Sequence, residues 1–411
     1  MSKTKSTIAL SDLHLGRDVS YLNSRNPSYK KNRAALSSLL KKLGPQDELI
    51  LAGDILELSL GGLDEVYTDL KEFFGLLSES SQYQRIVYVP GNHDHHFWRA
   101  LGEQVHIDGR IARGINPPGN DEYPFCFVDE RFSSQDPNLP CTINVAYLWP
   151  EGMPKPEIVV KYPHHLSKIF SENGKEHYYL FTHGHFLEEL FRPVNFLIDP
   201  ARLEELEAFN NIWLEACDYH LGQAGRLSDR ARDLVSRYEK GGTEAKEEVK
   251  KILNEVFENL KKKLRLGWPK TWLLGWIKSY LGSLLKKMPL EPKSGLFGVS
   301  IDEKLKADIA EYIEKYVLHR YRRGKAKEYR FPSDKDIPTP FTFVFGHTHR
   351  PVKKGRKQGT EIVIQGKSYP LANTGGWLRT DGTGAANGEN AGVLVIDHDG
   401  ARWESLEGEL Q

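Results

Sequence analysis

The histidines give the strongest indication of the fold of this chain, because eight of the fifteen lie in four short clusters, each directly after an apolar run. A fifth apolar run ends at the pair Gly53-Asp54. Continuous runs of this length are typical of buried strands, and segments with helical periodicity, residues 32–43 and 63–77, lie between some of them. The alternation predicts a layered α/β fold whose last strand covers residues 392–396. The apolar runs are residues 7–10, 49–52, 86–89, 178–181 and 341–345.

Polar side chains with metal-binding chemistry stand where these predicted strands end. They are Asp12, His14, Asp54, Asn92, His183, His347 and His349. Open α/β sheets place their sites at the carboxyl ends of strands, so we expect these side chains to meet. Asp12 and His14 are two residues apart on a segment expected to be extended, which would point both side chains the same way. His347 and His349 repeat that relation.

The donor set indicates chemistry with two divalent metal ions. Two carboxylates, four imidazoles and one amide oxygen exceed what one ion requires, and the mixture suits Mn²⁺, Fe or Zn²⁺ rather than Ca²⁺. Two ions about 3.5–4 Å apart and bridged by Asp54 could clamp an in-line phosphoryl displacement, with a metal-activated hydroxide as the nucleophile. His93, next to Asn92, could protonate the leaving oxygen or stabilise developing charge.

In their order along the chain, these motifs resemble the calcineurin-like metallophosphoesterase superfamily. The resemblance rests on Asp12-x-His14, Gly53-Asp54, Gly91-Asn92-His93-Asp94, Thr182-His183-Gly184-His185 and Gly346-His347-Thr348-His349. It covers residues 7–186 and 341–397, the whole predicted α/β part. It implies a four-layer αββα sandwich, a dinuclear site at the strand ends, and a metal-dependent hydrolase of phosphoric esters.

The resemblance also implies a role for each site residue. It assigns one ion to Asp12, His14, Asp54 and His349, and the other to Asp54, Asn92, His183 and His347. It gives His93 the role of general acid or transition-state stabiliser. Family members often carry Asp three residues after the bridging Asp; this chain has Glu57 there, and we expect Glu57 to support the site.

Several neighbouring residues are expected to assist or to be structural. His185 would support the ligands or touch the substrate, Asp94 would orient His93 or cap a helix, and Arg350 would bind a phosphate or form a surface ion pair. Residues 373–377 resemble a family loop that packs near the site, and we expect them to form a glycine turn anchored by a buried Trp377. Surface or loop positions are expected for the remaining paired histidines, His95, His96, His164 and His165.

A weaker resemblance is to the UDP-2,3-diacylglucosamine pyrophosphohydrolases of lipid A synthesis. It rests on residues 11–16, 53–57 and 346–351, and those enzymes also carry a helical cap between their two histidine motifs. His93 stands where many of them have Arg. The alternatives to a general phosphoesterase are therefore a lipid pyrophosphohydrolase at the membrane surface and, because repair nucleases share the motifs, a Mn²⁺-dependent nuclease.

The stretch between the two groups of histidine motifs divides the chain into three parts. About 150 residues is too long for a loop, and apolar residues recur with helical spacing over residues 249–260 and 301–317. We therefore predict a first part of the catalytic core over residues 1–186 and a large all-α insertion over residues 187–340. The second part of the core and the C-terminal tail would occupy residues 341–411. The insertion would act as a cap that chooses the substrate.

Within this insertion, residues 261–287 carry eight basic and no acidic side chains. Trp268, Trp272, Trp276 and Tyr280 recur at intervals of four, on one face of a helix. The aromatic stripe could pack inside the cap while the lysines stay solvated. It could also lie in a membrane interface, or bind single-stranded nucleic acid. The sequence leaves these three interpretations open.

Composition limits the location and the partners of the protein. Its 56 basic and 56 acidic residues balance, which argues against a surface built wholly for nucleic acid. Three widely spaced cysteines support neither a disulfide framework nor a thiolate zinc site. Neither a secretory signal nor a run of roughly 18 apolar residues is found. We expect a cytoplasmic protein, in peripheral contact with the inner face of a membrane if residues 261–287 bind lipid, acting on a phosphorylated small-molecule or lipid-linked substrate.

Overall fold

The computed structural model describes residues 6–119, 131–135, 144–170, 173–187, 203–220, 223, 251, 303–318, 337, 339–351, 361–379, 388, 390–407 and 409–410. The chain divides into two compact units, and every described residue except Lys251 belongs to the unit formed by residues 1–223, 299–379 and 385–411. The basic stretch of residues 261–287 lies outside the described residues.

The described residues form twelve strands in two sheets. The strands are β1 (Thr7–Leu10), β2 (Gln46–Leu51), β3 (Tyr83–Tyr88), β4 (Arg131–Ser133), β5 (Glu157–Lys161), β6 (His164–Phe170), β7 (Glu176–Thr182), β8 (Phe341–Phe345), β9 (Glu361–Ile364), β10 (Lys367–Asn373), β11 (Gly392–Asp397) and β12 (Gly400–Ser405). The α-helices are α1 (Tyr29–Leu43), α2 (Leu63–Ser80), α3 (His95–Glu103), α4 (Gly109–Ala112), α5 (Leu203–Trp213) and α6 (Glu303–Tyr312). Three π-helical turns directly follow α3, α5 and α6: Gln104–Asp108, Leu214–His220 and Ile313–Leu318.

Each sheet has a parallel centre with antiparallel strands at its edges. In the seven-stranded sheet, with the order β12-β11-β1-β2-β3-β5-β4, strands β1, β2, β3 and β5 are parallel. In the five-stranded sheet, with the order β6-β7-β8-β10-β9, strands β7, β8 and β10 are parallel. Parallel neighbours end at the same edge of a sheet, so the loops after β1, β2 and β3 lie side by side, as do those after β7 and β8.

The central strands are buried on both faces, which explains why their sequences are continuous apolar runs. Leu49 of β2 belongs to the core cluster that includes Leu36 of α1, whereas the next residue, Ile50, belongs to a separate cluster with Phe181 of β7. Successive side chains of a strand point to opposite faces. The second cluster therefore lies between the two sheets, and helices cover the other face of the seven-stranded sheet.

Helix α6 supplies the outer layer on the second sheet. It packs against β9, and the hydroxyl of Tyr312 is 2.8 Å from Nε2 of His164 on β6. Leu305, Ile309 and Ile313, which recur every four residues in the sequence, are buried. The spacing of the apolar residues thus predicted a helix here, but the sheet that this helix covers could not be read from the spacing.

The predicted fold class is confirmed. The five apolar runs are β1, β2, β3, β7 and β8, the helical segments are α1 and α2, and the predicted last strand is β11. Two sheets enclosed by helices match the expected αββα sandwich. The all-α cap over residues 187–340 remains a prediction, because most of that stretch lies outside the described residues.

Among the helices that the structure describes, none combines the length and the apolar character needed to cross a membrane.

Candidate metal centre

The predicted ligands lie on loops that hydrogen bonds hold together at the ends of the parallel strands. The backbone N–H of Asp12 donates to the carbonyl of Gly53 at 2.9 Å, which joins the loops after β1 and β2. The N–H of Gly346 donates to the carbonyl of His183 at 3.0 Å, which joins the loops after β7 and β8. His347 N–H donates to Oδ2 of Asp12 at 3.0 Å, and this bond connects the two sheets across the site.

Left-handed backbone conformations concentrate at the predicted ligands. Positive φ angles occur at Asp12 (54°), His14 (45°), Asp54 (51°), His347 (64°) and His349 (53°). The expectation that Asp12-x-His14 and His347-x-His349 are extended is therefore wrong. The loops curl at these residues instead, and such strained positions in non-glycine residues persist where surrounding contacts enforce them, commonly at functional sites.

Two glycines allow the loops to approach this closely. A Cβ added at Gly91 would lie 2.3 Å from Oδ1 of Asp54, and one added at Gly346 would lie 2.7 Å from Oδ2 of Asp12. Contacts this short cannot be relieved without moving the carboxylates. The glycines of the Gly-Asn-His-Asp and Gly-His-Thr-His motifs are therefore required for a steric reason, because each lies against the carboxylate of a predicted ligand.

Asp12, His14 and His349 form a first group of donor atoms, and these atoms lie within 4.8 Å of one another. Nε2 of His349 is 3.1 Å from Oδ1 of Asp12 and 3.4 Å from Nε2 of His14. Asp12 and His14 are buried, and the side chain of His349 is 18% exposed. The pKa of the Asp12 carboxyl is lowered, because the imidazole of His349 outweighs the opposing effect of burial.

Asp54, His183 and His347 form a second group within the same distance limit of 4.8 Å. Nε2 of His183 lies 3.1 Å from Oδ2 of Asp54 and 3.2 Å from Nδ1 of His347. The amide oxygen of Asn92 approaches the same nitrogen at 3.2 Å. Nδ1 of His183 donates to the carbonyl of Ala52 at 3.0 Å, which fixes the orientation of the ring and leaves Nε2 turned toward the other donors.

Asp54 has contacts with both groups. Its Oδ2 is 3.1 Å from Nε2 of His183 and 3.9 Å from Nε2 of His14. The pKa of the Asp54 carboxyl lies well below its usual range, because burial, which raises it, is outweighed by His183 and His93. Burial lowers the pKa of His183, but the Asp54 carboxylate dominates and raises it to about 9. The buried carboxylate of Asp54 therefore favours positive charge next to it.

Glu57 connects the first group to His93. Its carboxylate, which is fully buried, accepts from Nδ1 of His14 at 2.8 Å and from Nδ1 of His93 at 2.6 Å. The pKa of Glu57 lies well below its usual range, because His93 and His14 together overcome the effect of burial. Arg17, which the sequence motifs do not include, has its guanidinium 3.9 Å from the same carboxylate. Glu57 thus contacts the expected ligand His14 and the expected general acid His93.

Three other predicted residues surround the site. Asp94 is buried, and its carboxylate accepts from the backbone N–H of Ile55 at 2.8 Å and from that of Gly91, so it ties the loop after β2 to the loop after β3. His185 is also buried, with its ring centroid 5.7 Å from that of His183. Arg350 directly follows His349 and is half-buried.

The loop after β10 closes the site as expected from residues 373–377. The N–H of Trp377 donates to the carbonyl of Asp12 at 3.0 Å, and the hydroxyl of Thr374 contacts that of Ser11. Trp377 is buried, and a Cβ at Gly376 would lie 2.6 Å from Cβ of His349.

The expected surface or loop positions of several histidines are wrong. His95, His164 and His165 are at most 2% exposed, and His95 bonds with Glu207 and Glu215 from α5 and the turn that follows it. These partners are more than 100 residues away in the sequence. The residues next to His95 in the sequence therefore carry no signal for its burial.

The donor set fits divalent cations of the first transition row. Carboxylate oxygens, imidazole nitrogens and one amide oxygen converge in two groups, and among the residues that the structure describes no cysteine joins them. Such ligands suit Mn²⁺, Fe and Zn²⁺. These acidic and imidazole side chains could therefore bind divalent cations.

Comparison with known proteins agrees with this geometry. A sequence model of the family described as calcineurin-like phosphoesterase matches residues 6–220, which is more than half of the 411-residue chain. The match includes every predicted ligand from Asp12 to His183, and it ends before His347 and His349. A comparison with curated proteins finds no match.

Proposed function

Because the chain belongs to the calcineurin-like phosphoesterase family, we propose that its metal-dependent hydrolysis of phosphoric esters uses two divalent ions. One observation carries this proposal: the carboxylate of Asp54 lies between two groups of donor atoms, 3.1 Å from His183 and 3.9 Å from His14. A single carboxylate with a donor group on each side is the arrangement that a bridging ligand requires.

The ligands follow from the two groups. Asp12, His14 and His349 would hold one ion, Asn92, His183 and His347 would hold the other, and Asp54 would contact both. When bound, such ions neutralise charge on phosphoryl oxygens and increase the acidity of water. We take Mn²⁺ as the preferred ion, with Fe and Zn²⁺ as alternatives that the same ligands accept.

His93 is the residue that we assign to proton transfer. Its Nδ1 proton is held by Glu57 at 2.6 Å, which orients the ring and leaves Nε2 as the nitrogen for a leaving oxygen. The backbone N–H of His93 donates to Oδ1 of Asp54 at 2.9 Å, so the same residue is fixed against the proposed bridging ligand. Glu57 would keep His93 and His14 in place together.

The substrate class follows from the chemistry of the site and from the position of α5. We infer a phosphodiester, phosphomonoester or pyrophosphate bond in a phosphorylated small molecule, because cations held by the proposed ligands would bind phosphoryl oxygens and His93 offers an imidazole for the leaving group. Residues of α5 and the turn after it reach His95 and His96 at the start of α3. This contact supports the proposal that residues 187–340 choose the substrate.

The first test measures metal content and hydrolysis in the purified chain. We expect two equivalents of metal after incubation with Mn²⁺, and Mn²⁺-dependent cleavage of bis-p-nitrophenyl phosphate or p-nitrophenyl phosphate. Asp54→Asn should lose both metal and activity, the latter by at least about 100-fold. The exposed Asp64→Asn is the matched control and should behave like the wild type.

A second variant separates proton transfer from metal binding. His93→Gln should keep the metal content but lose about 100-fold in kcat, because general acid catalysis typically contributes 10²–10⁴-fold. Absence of Mn²⁺-dependent hydrolysis of any phosphoester by the wild type would reject the proposed function. Full activity in Asp54→Asn would reject the assignment of the bridging ligand.

A further inference from the structure

A buried chain of hydrogen bonds runs beside the metal centre without including any proposed ligand. Nε2 of His95 is 2.7 Å from Oε1 of Glu207, and Nδ1 of His95 is 3.2 Å from Oε1 of Glu215. The hydroxyl of Tyr162 donates to Oε2 of Glu207 at 2.8 Å and lies 3.2 Å from Nε2 of His185. His95, Tyr162 and His185 are at most 1% exposed, and Glu207 is 7% exposed.

Glu207 is the centre of this hydrogen-bond network, because its two carboxylate oxygens contact residues of two different segments. Oε1 reaches His95, at the start of α3, and Oε2 reaches Tyr162, which contacts His185 after β7. Since the single proton of the Tyr162 hydroxyl goes to Glu207, the Nε2 proton of His185 is the one donated to the Tyr162 oxygen. One carboxylate of α5 thereby connects a loop of the seven-stranded sheet with a loop of the five-stranded sheet.

These two loops carry two of the donors that would hold the second proposed ion. Asn92 lies three residues before His95, and His183 lies two residues before His185. The amide oxygen of Asn92 and Nε2 of His183 are 3.2 Å apart. A contact that fixes the two loops relative to each other therefore also fixes the separation of this donor pair.

The charges of the network favour a fixed geometry. Burial opposes protonation of His95, but Glu207 and Glu215 outweigh it and raise the pKa of His95 to about 9. His95 is thus a buried cation between two carboxylates. Buried ion pairs contribute little net stability compared with apolar packing, but the loss of one partner leaves an uncompensated charge, so their geometry is strongly enforced.

We propose that Glu207 is a positioning residue of the phosphoesterase site, which sets the placement of Asn92 relative to His183 through His95 on one side and Tyr162 with His185 on the other. The inference rests on the proposed function, because the separation of Asn92 and His183 matters chemically only if both hold the same ion. Residues that orient metal ligands typically change metal affinity or activity by 10–100-fold when they are replaced.

The test compares Glu207→Gln with the wild type in Mn²⁺ binding by calorimetry and in hydrolysis of bis-p-nitrophenyl phosphate. The amide keeps one acceptor oxygen but loses the charge and the second acceptor, so one loop is released. We expect the affinity for the Mn²⁺ assigned to Asn92, His183 and His347 to fall by about 10-fold. At limiting Mn²⁺, kcat should fall to a similar degree with KM within about twofold, and excess Mn²⁺ should restore most of kcat.

Two further variants keep the test decisive. Tyr162→Phe removes the hydroxyl that joins Glu207 to His185 but keeps the contact of Glu207 with His95, so it should lower Mn²⁺ affinity by a smaller factor. Together with Glu207→Gln it should be less than additive, because both act through one chain of contacts. Glu204→Gln, half-buried on the same helix, is the matched control and should bind Mn²⁺ like the wild type.

The outcomes distinguish this inference from the proposed function. Wild-type activity together with equal Mn²⁺ affinities in Glu207→Gln and Glu204→Gln would overturn the positioning role alone. A thermal midpoint lowered in Glu207→Gln without any change in Mn²⁺ affinity would also overturn it. A wild type that binds Mn²⁺ without hydrolysing phosphoesters would reject the proposed function, while the binding measurements would still decide the role of Glu207. A wild type that binds no Mn²⁺ would overturn both.

Discussion

At the scale of single residues, the predicted donors combine closely spaced side chains with a locally unfavourable backbone. Asp12, His14 and His349 meet as the motifs imply, and so do Asp54, His183 and His347. Their left-handed backbone conformations were not predictable from spacing, which suggested extended loops. The reason is physical: a positive φ at aspartate or histidine is locally unfavourable and exists only because contacts from distant loops enforce it.

Gly91 provides a prediction at this scale. A Cβ at this position would lie 2.3 Å from Oδ1 and 2.7 Å from the backbone nitrogen of Asp54. Gly91→Ala should therefore displace the proposed bridging carboxylate, with a loss of Mn²⁺ affinity and a drop of about 1–3 kcal/mol in the free energy of unfolding. Metal titration and urea unfolding measure the two effects.

Gly119→Ala is the control for this substitution. Gly119 has no atom within 4 Å of the added Cβ, so its replacement should change neither quantity by more than about 0.5 kcal/mol. Equal Mn²⁺ affinity in Gly91→Ala and Gly119→Ala would contradict the close approach of these two loops.

At the scale of elements, local patterns predicted strands and helices, while contacts between distant elements escaped them. Apolar runs of four or five residues were enough to find β1, β2, β3, β7 and β8, because both faces of these strands are buried. The burial of His95 was missed. Its neighbours in the sequence are polar: His93, Asp94 and His96. They do not indicate that Glu207 of α5 and Glu215 of the following turn enclose His95.

The ion pair of His95 makes stability depend on pH. The pKa of His95 is raised from 6.5 to about 9, because Glu207 and Glu215 overcome burial. A raised histidine pKa adds stability that is fully present below about pH 6.5 and is lost as the pH rises through about 9. We expect the free energy of unfolding to fall across this window, by on the order of 3 kcal/mol at most.

Thermal or urea unfolding at a series of pH values measures this slope, and two histidine variants isolate its source. His95→Gln should reduce the dependence between pH 6.5 and 9 and leave the part that belongs to His183, whose pKa is also raised to about 9. His177→Gln should keep it, because burial lowers the pKa of His177 to about 4, outside the window. A wild-type slope that persists in His95→Gln would assign the pH dependence to another group.

At the scale of the whole molecule, the candidate metal centre lies where loops of the two sheets meet. Asp12, Asp54 and Asn92 come from the first sheet, and His183 and His347 come from the second. The order of the motifs was enough to predict this sandwich, because it resembles that of a known family. The sequence could not show that α6, within the predicted cap, packs on the second sheet as its outer layer.

Removal of metal should therefore loosen the contact between the sheets. A ligand that binds only the folded state at 100 times its dissociation constant adds about 2.7 kcal/mol of stability. We expect EDTA to lower the thermal midpoint by about 5 °C, and Mn²⁺ but not Ca²⁺ to restore it. Asp54→Asn should show little response to EDTA. A wild-type midpoint that is the same with and without EDTA would contradict a metal that holds the two sheets together.

The pairing of β1 with β11 has a consequence for biosynthesis. Thr7 pairs with Ile396 on one side and with Glu48 on the other, so β1 can find one neighbour early and the other only after the chain has been synthesised through β11. Until β11 leaves the ribosome, one edge of β1 has no partner strand, and such edges invite pairing between nascent chains. His347 and His349 also emerge late, so neither of the two proposed ions could acquire its full set of ligands before the sheet is nearly complete. Chain synthesis therefore delays hydrolytic competence until the open edge of β1 is about to close.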